Sequence, residues 1–260
     1  GKSRLVAEIM GIWRAEFESL ERDAASPFPC FCESQGVSYD THHAYLQFQQ
    51  QIRCLIGATE ADALPVVRQK LSTLLTKLPT AYQEAALSAF SRLLALGEVH
   101  ETTAPATPEG ESFRGELFHA LYHTWQAWTQ HGPAICVFDD LHWADPASVE
   151  FLLRLLPLAE TVPILILCAF RPDRQVPGWQ VKTFAETNLA HRYTEITLRP
   201  LDAEQGQALV DRLLGALLGE KEAVKDPVTG TNLTEQQPRP SSLRLLVSQR
   251  ADGNPFFAEE

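Results

Sequence analysis

The sequence has no apolar run long enough to cross a bilayer. Its longest runs, such as residues 164–170, fall far short of the ~20 apolar residues that a membrane helix requires. Basic charge is also scarce: 33 acidic residues against 22 basic ones give a formal net charge of −11, and no local cluster of Lys and Arg compensates. The chain therefore offers no transmembrane helix and no general electrostatic reason to bind nucleic acid.

Cysteine and histidine do not form a metal-binding pattern. Cys30 and Cys32 are separated by one residue and lack the second pair of a zinc site, while Cys136 and Cys168 lie inside apolar runs. Residues 42 and 43 are both histidines, but no third metal ligand lies nearby in the sequence. Such neighbouring histidines are more often solvated than bound to a metal. We interpret the cysteines as reduced core or near-surface residues of a cytoplasmic protein.

Length and composition indicate an ordinary globular chain. With 260 residues, 45% hydrophobic and 21% charged, it can form one large domain with a small appendage, and no internal repeat is evident. Residues 97–111 are rich in Pro, Thr, Glu and Gly and predict a surface loop. Residues 219–241 are rich in Lys, Gln and Pro and predict a linker. We predict a core over residues 1–218 with a helical insertion at about 40–130, and a C-terminal lid or helical region starting at 242–260.

The stretch from Ala134 to Asp145, A-I-C-V-F-D-D-L-H-W-A-D, is the most informative part of the chain. Its apolar run at 135–138 predicts a strand buried on both faces, which ends in Asp139 and Asp140. Parallel sheets place ligands beyond the carboxyl ends of their strands, so one carboxylate can hold a divalent cation and the other can orient or deprotonate a water. The alternative is an ordinary strand that enters a solvated turn.

Two further segments predict strands. The run at 163–170 is the clearest buried strand, and it delivers Arg171 to the same edge as Asp139 if the two strands are parallel. An arginine there can stabilise phosphate charge, although an arginine at the surface end of a strand is an equally ordinary reading. Residues Tyr193 to Leu198 alternate between apolar and polar side chains and predict another strand.

The first residues resemble the end of a phosphate-binding loop. Gly1, Lys2 and Ser3 match the last three positions of G-x-x-x-x-G-K-[ST], and a helical pattern follows at once to about Leu20. Its predicted apolar stripe consists of Leu5, Ile9, Ile12, Trp13 and Phe17.

Hydrophobic patterns also predict one more strand and five helices around the central stretch. A short strand is predicted at 30–33, and helices are predicted around 45–56, 61–96, 112–131, 145–156 and 201–217. Ser112 and Asp145 are predicted N-caps, the latter followed by Pro at the first helical position. Asp202 and Gln205 have the spacing of a capping box.

Four pieces stand in order: G-K-S-R-L, V-F-D-D-L-H-W-A-D, I-L-I-L-C-A-F-R and G-N-P-F-F-A-E-E. Together they resemble the STAND class of signalling P-loop ATPases, in particular the AAA-type ATPase domain of large adenylate/guanylate cyclase-like and LuxR-type regulatory proteins. The resemblance covers essentially the whole chain. It implies a three-layer α/β P-loop NTPase fold with a mostly parallel sheet, and Mg-dependent hydrolysis of ATP to ADP coupled to conformational switching of an attached effector. It also implies fused effector and repeat domains as partners and nucleotide-dependent self-association. From the run lengths and the acidic charge given above, we expect no membrane contact and no nucleic-acid binding through this domain.

The resemblance assigns a role to most candidate site residues. Lys2 would reach the β- and γ-phosphates, Ser3 and Asp139 would hold Mg²⁺, and Asp140 would polarise the attacking water. Arg171 would sense the γ-phosphate. The remaining nucleotide-binding positions that it implies are Gly1, Arg4 and Pro255. His142 and Trp143 belong to the recurrent string, and we expect structural roles for both, with Trp143 as a packing anchor.

The strand and glycine-rich loop that precede this lysine in the family have no counterpart before Gly1. We therefore expect an excerpt of a longer protein, truncated within Walker A, whose residues alone would leave a gap between strands and bind nucleotide poorly. Two other functions stay open: a nucleotide-independent interaction scaffold with a degenerate P-loop, and a DNA-remodelling AAA ATPase.

Overall fold

The computed structural model describes residues 2–19, 31–38, 44–95, 111–130, 132–202, 204–206 and 208, with the side chains of 16–19 left aside. The chain divides into two compact units, Lys2–Thr194 and a second that comprises Gly1 and Glu195–Glu260, and the helices and strands named next all fall in the first. In chain order they are α1 (Lys2–Ser19), β1 (Phe31–Gln35), α2 (Leu46–Leu55), α3 (Leu64–Leu75), α4 (Thr80–Leu93), α5 (Glu111–Thr129), β2 (Ala134–Asp139), α6 (Pro146–Leu155), β3 (Ile164–Cys168) and α7 (Gly178–Asn188). Two 3₁₀ turns, Leu141–Trp143 and Leu156–Glu160, flank α6.

The strands form a small parallel sheet in the order β1-β2-β3, and all six residues of β2 are buried. Phe31 pairs with Ile135, and Ala134 pairs with Ile164, so the three strands run side by side without a break. The predicted parallel pairing is confirmed, and β2 is covered on both faces, as its continuous apolar run predicts. The burial predicted for β3 is wrong: only Ile164 is buried and Leu165 is 46% exposed, because β3 lies at the edge of the described sheet. The expected gap does not fall between these strands.

The strand predicted from Tyr193 to Leu198 is wrong. Residues 193–200 have no regular structure, and the side chains that the alternation would have buried are open to solvent, with Ile196 72% and Leu198 45% exposed. An alternating pattern becomes a strand only where a neighbouring strand pairs with its N–H and C=O groups, and within the described residues no strand pairs with this segment.

Helices cover both faces of β2. On one face Ile135 and Val137 pack with Val6 and Met10 of α1. On the other face Cys136 and Phe138 belong to a larger core shared with α2 to α6, which includes Phe48, Leu71, Phe90, Trp125, Trp128 and Phe151. The alternation of β2 side chains between two clusters follows from the two-residue period of a strand.

The prediction of a first helix to about residue 20 is confirmed, but the predicted apolar face of α1 is wrong. Val6 and Met10 are buried, whereas Leu5 and Ile12 of the predicted stripe are exposed, Ile12 by 58%. Ile9 and Trp13 lie at the border and are partly buried. Two overlapping stripes in the sequence satisfy a 3.6-residue period, and only the sheet decides which one is covered.

Two of the three predicted N-terminal capping devices are confirmed. Asp145 caps α6 by accepting the backbone N–H of Ser148 at 2.8 Å, with Pro146 as the first helical residue. The backbone N–H of Gln205 donates to Asp202 Oδ1 at 2.8 Å, and the reciprocal bond from Asp202 N to Gln205 Oε1 measures 3.2 Å. Ser112 is not a cap, because α5 already includes Glu111 and the Ser112 hydroxyl donates to Glu116.

The cysteines within the described residues, at positions 32, 54, 136 and 168, are free thiols. The helices of this part of the chain are each too short or too polar to traverse a bilayer. The predicted linker at 219–241 and the predicted lid from 242 lie outside the described residues.

Candidate functional site

The carboxyl ends of the parallel strands define the candidate site. β2 ends at Asp139, its neighbour β1 ends at Gln35, and β3 ends at Cys168, three residues before Arg171. Asp139 is only 2% exposed, and its Oδ1 accepts the backbone N–H of Asp140 at 2.8 Å. The predicted edge therefore exists, and Asp139 lies at the end of its central strand.

Asp140 adopts an unusual backbone conformation. Its φ of 50° and ψ of 39° are left-handed, a region that residues other than glycine seldom occupy, although Asp enters it more readily than most. Surrounding contacts hold this turn: the Asp139 carbonyl accepts Gly36 N at 2.9 Å, and the Asp140 carbonyl accepts Trp143 N at 2.8 Å. Leu141 N donates to the carbonyl of Ala169, just beyond β3, at 2.9 Å. Strain maintained in this way is typical of functional sites.

Gly36 is required because the backbone of the Asp140 turn packs directly against it. A Cβ atom on Gly36 would lie 2.4 Å from the Asp140 carbonyl oxygen and 3.2 Å from Trp143 Cβ. No side chain fits at that distance, so the glycine lets β1 end directly against the Asp140 turn.

The side chain of Asp140 is partly exposed and has a partner on β1. Gln35 Nε2 donates to Asp140 Oδ2 at 3.2 Å. The other oxygen, Oδ1, lies 3.7 Å from His142 Nδ1, which is too long for a hydrogen bond. The carboxylate of Asp140 therefore lies between an amide and an imidazole.

His142 reports the electrostatics of the site. Its side chain is 5% exposed, and burial is the main cause that lowers its pKa. The negative charges of Asp140 and Asp139 raise this pKa, while the positive charges of Arg171 and Lys2 lower it. Four charged residues from three separate parts of the chain thus act on one neutral imidazole.

The N-terminal residues lie in the first turn of α1. Lys2 is partly buried, Ser3 is exposed, and the exposed Arg4 pairs with Glu8 at 2.9 Å, one helical turn later. Helix N-termini favour anions because their first N–H groups lack intrahelical partners. Lys2 is therefore at a suitable place for phosphate charge; the two other predicted nucleotide-binding residues, Gly1 and Pro255, lie outside the described residues.

Magnesium fits the oxygen chemistry at this edge. The described residues contain no cluster of three or more His, Cys, Asp or Glu side chains suited to a metal ion. Mg²⁺ does not need one, because it retains water and binds through one or two carboxylates together with substrate phosphates. Asp139 supplies such a carboxylate, and the Ser3 hydroxyl is the second predicted ligand.

A group of glutamines in α2 supports the site and is absent from the sequence predictions. Gln47 Nε2 donates to the Asp139 carbonyl at 2.9 Å, and Gln51 Nε2 donates to the Val137 carbonyl at 2.7 Å. Gln50 Oε1 accepts the backbone N–H of Gln35 at 2.7 Å. The available signal was the i, i+4 spacing of Gln47 and Gln51 beside the apolar stripe of the same helix, since this places both amides at its buried edge.

Glu33 is another charged residue near the site that the sequence predictions omit. It lies on β1, and its pKa is raised by desolvation and, to a smaller extent, by the negative charge of Asp139. The smaller contribution shows that the charge of Asp139 reaches Glu33, and a cation bound beside Asp139 would offset it.

Comparison with known proteins identifies the family. The model of the AAA ATPase domain family matches residues 1–167, which include the Lys2 turn and the whole of β2. An uncharacterized protein of Rhizobium meliloti (strain 1021) is 27% identical over 95 residues, which is 36% of this chain but 8% of that protein. No solved structure matches the chain. Because the family model covers more than half of the 260 residues, the chain belongs to the AAA ATPase domain family.

Proposed function

We propose that this chain is the nucleotide-binding part of a STAND-class regulatory ATPase, which binds Mg-ATP and hydrolyses it to ADP. The observation that carries this proposal is the convergence of charge at the carboxyl edge of the parallel sheet. Asp139 ends β2 and Asp140 follows it, Arg171 follows β3, and the charges of Lys2 and Arg171 reach the imidazole beside Asp140. Opposite charges arranged in this way suit a polyanion that binds with a cation.

Each residue has a distinct role in the proposed reaction. Lys2 offsets the charge of the β- and γ-phosphates, and Asp139 with Ser3 holds Mg²⁺, which neutralises phosphate charge when bound. Asp140 orients a water for in-line attack on the γ-phosphorus and accepts its proton. Arg171 stabilises the charge that develops on the transferred phosphoryl group.

The arrangement of helices on both faces of β2 supports a three-layer P-loop fold for the intact domain. α1 covers one face and α2 to α6 cover the other. In such folds ligands bind beyond the carboxyl ends of the strands, which is the edge that carries Asp139.

The regulatory part of the proposal is a nucleotide-dependent change in the position of the C-terminal region. We infer that ATP and ADP favour different placements of the region after residue 219, because Arg171 and Pro255 would touch different parts of the nucleotide. Fused effector and repeat domains would receive this change, and nucleotide-dependent self-association is a further expected response. The cytoplasm, where ATP is supplied, is the proposed compartment.

The test uses the full-length protein that contains this chain. Affinity for ATP and steady-state turnover are measured for the wild type, Lys2→Ala, Asp140→Asn and a control, Asp173→Asn, which changes an exposed aspartate in the loop after β3. Lys2→Ala should weaken ATP binding. Asp140→Asn should lower kcat by about 10²- to 10⁴-fold, the usual contribution of a general base, with little change in affinity. Asp173→Asn should resemble the wild type.

A thermal shift separates this function from its rivals. Mg-ATP at about 100 times its Kd should stabilise the protein by about 2.7 kcal/mol, because a ligand that binds only the native state must raise its stability. Absence of any shift, with unchanged behaviour of both variants, would instead support a nucleotide-independent scaffold. Salt-sensitive DNA binding would support a remodelling ATPase.

A further inference from the structure

His142 is a buried imidazole whose nitrogens have no hydrogen-bond partner among the described residues. The ring lies in the 3₁₀ turn after Asp140, and neither Nδ1 nor Nε2 bonds to an atom of that part of the chain. Its ring neighbour is Trp143, with centroids 4.9 Å apart and the planes inclined by 40°. Buried polar groups in native proteins are nearly always hydrogen-bonded, so two unpaired nitrogens on one ring call for an explanation.

The nearest carboxylate offers that explanation. His142 Nδ1 lies 3.7 Å from Asp140 Oδ1, while Gln35 Nε2 donates to the other oxygen at 3.2 Å. A shortening of about 0.9 Å would give the ordinary length of a hydrogen bond to a carboxylate. In proteins without their ligands, catalytic hydrogen bonds are often long and tighten only in the complex with substrate.

The imidazole does not need a positive charge for this bond. Burial and the nearby charges of Arg171 and Lys2 keep His142 neutral, and a neutral imidazole still carries one N–H donor. With its proton on Nδ1 the ring can donate to Asp140 directly, while Nε2 remains an acceptor.

We propose that His142 is a positioning residue for Asp140: in the nucleotide-bound state its Nδ1–H donates to Asp140 Oδ1, while Gln35 holds Oδ2. The two donors, one on each oxygen, fix the plane of the carboxylate and leave its remaining lone pairs for the attacking water. This inference rests on the proposed function, because it assigns a role to His142 only through Asp140.

The test compares three variants in the full-length protein. His142→Phe keeps an aromatic ring without nitrogen, His142→Asn places an amide nitrogen where Nδ1 lies, and His142→Gln places one where Nε2 lies. His142→Phe should lower kcat for ATP by about 10- to 100-fold, the usual effect of losing a supporting partner, with KM nearly unchanged. His142→Asn should recover most of this loss and His142→Gln should not. The matched control is His191→Phe, which removes an exposed imidazole paired with Glu160.

Two readouts do not depend on activity. Without nucleotide, His142→Phe should unfold at the same temperature as the wild type or higher, because the ring nitrogens make no hydrogen bond to the described residues. The ¹⁵N resonances of the His142 ring should move on addition of a non-hydrolysable ATP analogue with Mg²⁺, in the direction of an Nδ1–H donor.

The outcomes separate this inference from the proposed function. A wild type that binds no ATP overturns the proposed function itself. Where ATP binds, a turnover unaffected by His142→Phe, or equal rescue by the Asn and Gln variants, overturns the positioning role. A lower melting temperature of nucleotide-free His142→Phe that accounts for its loss of turnover shows a structural role instead. If ATP binds without turnover, unmoved ring resonances overturn the inference.

Discussion

Replacing Asp145 with alanine should weaken the link between α6 and α2. The buried carboxylate accepts Ser148 N at 2.8 Å and the Ser148 hydroxyl at 2.6 Å, which caps α6. It also accepts the backbone N–H of Tyr45, at the start of α2 and 100 residues away in sequence, at 3.1 Å. Asp145→Ala removes all three bonds at once and leaves the Tyr45 N–H buried without a partner.

The magnitude follows from two separate losses. Removal of a helix cap costs about 1 kcal/mol. Leaving a buried backbone N–H unpaired costs about 1–3 kcal/mol. Together they lower the free energy of unfolding by about 2–4 kcal/mol. Asp145→Asn retains an acceptor oxygen for both N–H groups and should cost about 1 kcal/mol, chiefly the loss of charge on the acceptor.

Hydrogen exchange of the full-length protein, followed by mass spectrometry, measures the loss of stability for individual segments. For amides of α6 and β2 that exchange through opening of the whole unit, protection should fall about 30- to 700-fold in Asp145→Ala, since each 1.4 kcal/mol is a factor of ten. The control is Asp173→Ala, whose exposed carboxylate accepts Gln175 N at 2.9 Å. If both alanine variants lose the same small amount of protection, the reasoning about the buried cap is refuted.

Two further predictions concern residues beside the site. Glu33→Gln should stabilise the protein at pH 7. In the folded state the pKa of Glu33 is raised above the ordinary value of 4.5, so the stability of the wild type falls as pH rises through that folded pKa and Glu33 ionises. Glutamine carries no charge and avoids this loss. In urea unfolding between pH 4.5 and 8, the extra free energy of unfolding of Glu33→Gln should shrink toward the acidic end, whereas the exposed control Glu60→Gln should show no such trend. A stabilisation by Glu33→Gln that is constant with pH would contradict this reasoning. Gly36→Ala should cost about 1–3 kcal/mol of stability and lower ATP turnover, because its Cβ would overlap the Asp140 carbonyl. Gly11→Ala, in open space on α1, should instead stabilise by about 0.5–1 kcal/mol, and equal effects of the two changes in unfolding experiments would disprove the steric argument.

Local patterns predicted the elements that depend on local physics. The apolar runs before Asp139 and Arg171 predicted two parallel strands, and Asp145 followed by Pro146 predicted the start of α6, because apolar runs and helix caps are formed by adjacent residues. Burial on both faces holds for β2 but not for β3, which is the edge of the described sheet. The parallel pairing of the two strands confirms the expectation that their ends share an edge.

What the sequence did not predict depends on distant contacts. The buried face of α1 is chosen by the sheet, since Val6 and Met10 become buried only when Val137 lies opposite. The left-handed turn at Asp140 requires Gly36, which is far away in the chain. The spacing of Gln47 and Gln51 indicates that both amides lie on one edge of α2, but not which strand carbonyls they bond. No local pattern contains these relations.

The hydrogen bonds around the Asp139–Asp140 peptide set a timescale for the site. The Asp139 carbonyl accepts both Gly36 N and Gln47 Nε2, and the Asp140 carbonyl accepts Trp143 N, so the backbone here is held on both sides. Only the Asp140 side chain can turn without breaking these bonds. Such rotations of partly exposed side chains take picoseconds to nanoseconds, whereas loop and domain movements take microseconds to milliseconds. Before nucleotide binds, the Asp140 carboxylate can therefore leave Gln35 and reorient on this fast timescale, and the second donor proposed for the bound state, His142, would end that freedom.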